Sequence, residues 1–162
     1  MNTKDVLIEQ FETCFTSNGW FVATGNAIEG LTAEQADWKP EGSDNSIREI
    51  INHLNYYNNA YLHRFKGADY EYKIADNDES FDHGVADSWE AEAERFRAIV
   101  AEWKSLLDAA GDEIFDELAP PHKKYEWSGL IAQINAHNAH HGGQIVLLRK
   151  LQGSWDSGKG VS

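Results

Sequence analysis

Near the C-terminal end, Leu130, Ile134, His137, His141, Ile145 and Leu148 follow one another in steps of 4, 3, 4, 4 and 3. Such spacing lines one face of an α-helix, so residues 128–152 read as a long helix that Gly153 can stop. Two imidazoles lie in its apolar stripe, one turn apart, where Cβ atoms are about 5 to 6 Å from each other. Polar rings buried without partners cost several kcal/mol. A chain built this way must therefore supply those rings with partners inside its core. Gly142 and Gly143 fall in the middle of the same helix, at about 1 kcal/mol apiece against alanine. Their presence predicts the close approach of another backbone or of a partner chain.

The rest of the chain reads as further helices. Leu7, Phe11, Cys14 or Phe15, and Val22 give helical spacing over residues 3–29, one long helix that Gly19 and Gly25 could kink. Residues 31–40 carry turn signals and one short helical turn, with Thr32 and Gln35 as a capping box. Pro40, Gly42, Ser43, Asp44 and Asn45 make the clearest break. A second long helix begins at Ser46, boxed by Glu49, carries Ile47, Ile50, Leu54, Tyr57, Tyr61 and Phe65 on one face, and stops at Gly67. His53 sits beside that stripe and can point inward. Residues 68–86 are acidic and aromatic, without sustained period. Extended, they can return along a helix of about 30 Å, which leaves the second and third long helices parallel.

The third long helix has the cleanest pattern: Trp89, Phe96, Ile99, Trp103, Leu106 and Ala110 on one face, and Glu90, Glu92, Glu94 and Lys104 on others. Asp87 and Glu90 could cap its start and Gly111 its end. Residues 112–127, with Pro120 and Pro121, form a second irregular connection. Residues 154–162 read as a loose tail that Trp155 could pin. Four long helices without a strand pattern or an internal repeat predict an all-α four-helix bundle, a single domain over residues 1–153. Metal sites in such bundles are built from facing core side chains.

Composition narrows the function classes. Fourteen basic against 27 acidic residues give a formal charge of −13, which repels phosphate backbones and anionic lipid headgroups at long range. No nucleic acid and no membrane partner is expected. Cys14 is alone, so no internal disulfide forms, and the N-terminus lacks a secretion signal, which together predict a cytoplasmic protein.

His137 and His141 with His53 make a three-histidine set. Imidazole binds zinc, nickel, copper and iron, and three protein ligands leave a coordination position open for water or substrate. The competing reading is a set of ordinary hydrogen-bonded core histidines. His140 rivals His141 but leaves the stripe by about 100 degrees and belongs at the rim. Gln144 shares the face of His137 and could hydrogen-bond a ligand or simply pack. Glu49, one turn before His53, could orient that ring, although capping explains it as well. Tyr56, Tyr57 and Gln133 could line the open side or serve as packing. Asp76, Asp78, Ser80 and Asp82 imitate a calcium loop, but Phe81 occupies the position where the turn requires glycine, so the segment reads as a solvated acidic loop.

The stretches Ser46-Ile-Arg-Glu-Ile-Ile-Asn-His53, Trp127-Ser-Gly-Leu130, His137-Asn-Ala-His-His141-Gly-Gly-Gln-Ile145 and Leu147-Leu-Arg-Lys-Leu-Gln-Gly153 together resemble the DinB-like superfamily over nearly the full length. The resemblance implies an up-down-down-up bundle with a long crossover between the second and third helices, and frequent homodimers. It implies a divalent metal, with zinc, nickel or iron the expected identities, held at His53, His137 and His141. Some relatives are thiol-dependent transferases or isomerases. The expected activity is accordingly that of a metal-dependent enzyme, a thiol-dependent S-transferase or a hydrolase, acting on a small molecule with a low-molecular-weight thiol. The alternatives are a metal-binding stress-response module without turnover and a dimeric protein with a structural metal.

Overall fold

The computed structural model describes residues 2–42, 45–121 and 124–160. Among them every regular element is helical. The α-helices are α1 (Thr3–Phe15), α2 (Thr24–Ala27), α3 (Ala33–Asp37), α4 (Ile47–Phe65), α5 (Trp89–Ala109) and α6 (Trp127–Leu151). Single 3-10 turns lie at Asp78–Phe81, Asp112–Asp116 and Ser157–Lys159, and one isolated antiparallel bridge joins Leu118 to Glu126. Among the described residues no helix is long and apolar enough to cross a membrane.

The long helix expected over residues 3–29 is broken. Helix α1 opens with a capping box between Asn2 and Asp5 and ends at Phe15. Beyond it come Thr16, Ser17, Asn18 and Gly19, whose side chains compete for backbone groups or leave the backbone unrestrained. Asn18 uses that freedom: its Oδ1 accepts from Ala23 N at 2.9 Å and from Asn26 Nδ2 at 2.8 Å. The chain then returns in α2, where a Cβ on Gly25 would stand 2.6 Å from the carbonyl oxygen of Phe15. Gly25 thus permits a backbone contact, not a kink.

Both capping boxes expected downstream are present, Thr32 with Gln35 on α3 and Ser46 with Glu49 on α4. Gly67 follows α4 at φ +75°, a conformation glycine adopts without strain. Helix α4 is buried on more sides than its apolar stripe predicts. Asn52, Asn55 and Asn58 are fully or nearly fully buried, while Tyr57, Tyr61 and Phe65 are only half-buried. Helix α5 begins on the Ser88 hydroxyl, which accepts from Ala91 N, and not on Asp87 with Glu90. Glu92, expected on an outer face, is fully buried; its carboxylate accepts from the Asn55 amide and from Ala86 N, the latter at 2.8 Å.

Side-chain pairs fix how the long helices lie. Between α4 and α5, Asn55 meets Glu92 and Phe65 meets Trp103 at a centroid distance of 5.3 Å. Between α4 and α6, His53 meets His141, Asn58 exchanges two hydrogen bonds with Asn138 at 2.8 and 2.9 Å, and Phe65 packs on Trp127. Between α1 and α5, Lys4 donates to Asp108 O and Phe15 stacks on Phe96. The connection of residues 68–86 is held down rather than solvated throughout: the Asn52 amide reaches the carbonyls of Ser80, Phe81 and His83 at 2.9, 2.9 and 3.0 Å.

Gly142 faces residues 22–24, and a Cβ there would stand 2.9 Å from Thr24 Oγ1, so a neighbouring chain segment does approach. Gly143 meets nothing within 4 Å. The expected loose tail is packed. Arg149 donates to Ala27 O, Glu29 O and Ser154 O and lies over the Trp155 ring, and Asn18 Nδ2 donates to Lys159 O. Ser43 and Asp44 of the expected break, His122 and Lys123 of the second connection, and Val161 and Ser162 of the tail lie outside the described residues.

Candidate metal centre

Helices α4 and α6 bring His53, His137 and His141 together. One ring nitrogen from each of the three lies within 4.8 Å of the other two. His137 Nε2 stands 3.0 Å from His53 Nε2 and 3.1 Å from His141 Nε2. His53 and His141 are buried and His137 is half-buried. His140, as expected, is exposed and outside the group.

The outer nitrogens determine what the inner ones can do. Ser80 Oγ donates its proton to Asn77 O, so it can only accept from His53 Nδ1, 2.6 Å away. That bond places the His53 proton on Nδ1 and leaves a lone pair on Nε2. Gln144 Oε1 lies 2.7 Å from His141 Nδ1 and fixes the same tautomer there by accepting its proton. Burial, reinforced by the neighbouring imidazoles, pulls His53 down to about 3 and His141 to about 4; burial, then His140, lowers His137. All three rings are therefore neutral near pH 7.

Two lone pairs consequently converge on His137 Nε2. A single proton there satisfies one of them and leaves the other facing a nitrogen. A cation among the three satisfies all at once. Nitrogens bound tetrahedrally at about 2.0 to 2.1 Å from zinc stand roughly 3.3 Å apart, close to the two separations found. The donor set thus fits a divalent ion, of a kind that imidazole prefers.

Phe81 stacks on the His53 ring at a centroid distance of 4.2 Å and an interplanar angle of 10°. Ser80 and Phe81 thus close the site from the connection between α4 and α5, the segment that the sequence offers only as a failed calcium loop. Its carboxylates are used locally: Asp76 Oδ1 accepts from Asp78 N and Glu79 N.

A cavity of about 290 Å3 reaches His137, lined by Tyr57, Tyr61, Asn77, Leu130, Gln133 and Ile134. Tyr57 and Gln133 stand where the open side was expected. Burial, then the nearby Tyr72 and Tyr56, pushes the Tyr57 hydroxyl above its ordinary range, so it stays a proton donor, here to Asn77 Oδ1 at 3.2 Å. A second cavity of about 380 Å3 reaches His141 and is lined by Gln144, Ile50, Phe81 and Leu148 among others. Tyr56 lines neither; it is buried and its hydroxyl accepts from Lys73 N at 2.9 Å. Glu49 does not orient His53. Its carboxylate accepts from Ser46 N and pairs with Lys39 at 2.7 Å, which leaves the orienting role to Ser80.

Searches among curated proteins and among solved structures give no match. The family model of the DinB superfamily matches residues 23–145, which run from the start of α2 past all three histidines, and the chain belongs to the DinB superfamily.

Proposed function

We propose that this protein is a metal-dependent enzyme in which His53, His137 and His141 hold one divalent ion through their Nε2 atoms. The observation that carries the reading is the convergence of these nitrogens at 3.0 and 3.1 Å while Ser80 and Gln144 occupy the outer nitrogens of two rings. Bound there, zinc, nickel or iron supplies Lewis acidity, which lowers the pKa of a thiol or of water. The protein's own residues do the rest. Ser80 and Gln144 hold two imidazoles in the ligating tautomer, and Phe81 covers one face of His53. The cavity at His137 admits a small molecule, with the Tyr57 hydroxyl available to donate to an electronegative atom of the substrate.

The reaction this arrangement suits is transfer of a low-molecular-weight thiol to an electrophile, with hydrolysis as the same chemistry on water. The overall topology we read as an up-down-down-up four-helix bundle, one domain over residues 1–153 followed by a short tail. The Asn55 to Glu92 and Phe65 to Trp103 pairs support parallel α4 and α5, and the His53 to His141 and Phe65 to Trp127 pairs support an antiparallel α6. A cytoplasmic homodimer is the form in which we expect it to act.

The test is a thiol titration of cobalt-loaded protein, followed by its absorption spectrum. A thiolate-to-metal charge-transfer band that saturates with thiol supports the transferase reading. A spectrum indifferent to every thiol, with no hydrolytic turnover, would leave a structural ion instead.

A further inference from the structure

Beside the cavity at His137 lies another, of about 210 Å3, and the two share Tyr61, Leu130 and Gln133 in their walls. The second is lined also by Arg64 and Lys124. Acidic residues outnumber basic ones 27 to 14 in this chain. Yet among the described residues neither cavity is lined by a carboxylate, and the farther one holds two cations.

Arg64 is the unusual member. It is 7 % exposed, its guanidinium lies 5.3 Å from the Tyr61 ring centroid and 4.7 Å from that of Tyr72, and Nη1 donates to the Tyr72 hydroxyl at 3.1 Å. Among the described residues no carboxylate pairs with it. A cation in the last turn of α4 is favoured by the helix dipole. That attraction is satisfied by an exposed side chain; it does not require one taken out of water and fixed between two tyrosine rings. A buried guanidinium held in this way, with one N–H used by a neutral phenol and no counter-ion, is a preorganised receptor for an oxyanion.

We propose that Arg64 and Lys124 bind an anionic oxygen group, carboxylate or phosphate, at one end of the substrate or thiol whose other end enters the cavity at His137. The proposal rests on the metal-dependent reading for the role of that second end, but not for the anion site itself. Tyr57 and Arg64 are two turns apart on α4, about 10 Å along the axis. The ligand therefore carries its charge about 10 Å from its reacting atom, and Tyr61, Leu130 and Gln133 pave the space between.

The test separates the two readings. In chelator-treated protein, succinate and inorganic phosphate are compared with uncharged succinamide by the shift in melting temperature. In cobalt-loaded protein, 8-mercaptooctanoate, whose extended chain is long enough to reach from one cavity to the other, is compared with uncharged 8-mercaptooctanol by half-saturation of the charge-transfer band. We expect at least one of the two anions to raise the melting temperature while succinamide does not, and the larger shift tells carboxylate from phosphate. We expect 8-mercaptooctanoate to half-saturate at least tenfold below 8-mercaptooctanol. Lys124→Glu, an exposed position that does not threaten folding, should erase the anion effect and bring the two thiols together; Arg64→Gln should do the same wherever its melting curve stays cooperative. An anion shift that Lys124→Glu abolishes, with no band from either thiol, supports the anion site and sinks the metal-thiol reading. No shift from either anion, or a thiol preference unchanged in Lys124→Glu, overturns the anion site.

Discussion

Replacing Ser80 by alanine removes one oxygen and tests how the site is held. Ser80 is fully buried, 27 residues from His53 in sequence, and its Oγ is the acceptor for His53 Nδ1 at 2.6 Å. Without it the Nδ1 proton has no acceptor in a buried setting, which costs about 1 to 3 kcal/mol. For a chain of this size that corresponds to a fall in melting temperature of about 2 to 4 °C per kcal/mol. The tautomer also loses its anchor, so the proton can move to Nε2 and block the ligand position. Loss of a hydrogen-bond partner to a ligating histidine typically weakens metal binding about 10 to 100-fold, or roughly 1.4 to 2.8 kcal/mol. The assay is competition for zinc against a chromogenic chelator, with melting curves recorded on metal-free protein in parallel. Gln144→Ala is the control: Gln144 is exposed, so water can replace its carbonyl at His141 Nδ1, and the loss of affinity should be smaller. Unchanged zinc affinity and melting temperature in Ser80→Ala would refute the tautomer argument.

The adjacent glycines of α6 should respond with opposite signs in denaturant titrations. Gly143→Ala, facing open space, should stabilise by about 0.5 to 1 kcal/mol through helix propensity. Gly142→Ala should destabilise by about 1 to 3 kcal/mol, because its Cβ meets the fully buried Thr24 at 2.9 Å. Burial pushes the Cys14 thiol up to about 11, so the native protein should resist a disulfide reagent at pH 8 and release one equivalent of thiol once unfolded. In metal-free protein, burial and then the neighbouring rings depress His53 to about 3 and His141 to about 4, below the value of about 6.5 in an unfolded chain. The unfolded state binds more protons in that interval, so their contribution is complete above about pH 6.5 and is lost as pH falls toward 4 and then 3. Denaturation midpoints between pH 7 and 4 should fall less steeply in His141→Asn than in the native chain.

What could be read from the sequence followed helical period. His137 and His141 were legible because a four-residue step on an apolar stripe places both rings on one face. His53 was legible because it flanks a second stripe. Ser80, Phe81 and Asn52 were not, since a contact between a loop and a helix has no period and the loop's acidity points to its carboxylates instead. The break after Phe15 was hidden for a related reason: Val22 continues the apolar spacing of α1 although the chain has already turned at Asn18, whose side chain replaces the helical hydrogen bonds. Asn52, Asn55 and Asn58 recur every three residues on α4, a signal present in the sequence but polar, and therefore easily assigned to the solvent face. Their burial is explained by partners on α5, α6 and the connection, none of which local pattern reveals.

The proposed function stands on three imidazoles holding one ion. Elemental analysis of protein purified without a histidine tag, on the native chain and on four single variants, tests it most directly. About one divalent ion per chain is expected in the native protein and in His140→Ala, with loss of the stoichiometric ion in His53→Ala, His137→Ala and His141→Ala. Retention of the ion in any of the last three, or equal loss in all four, would contradict it.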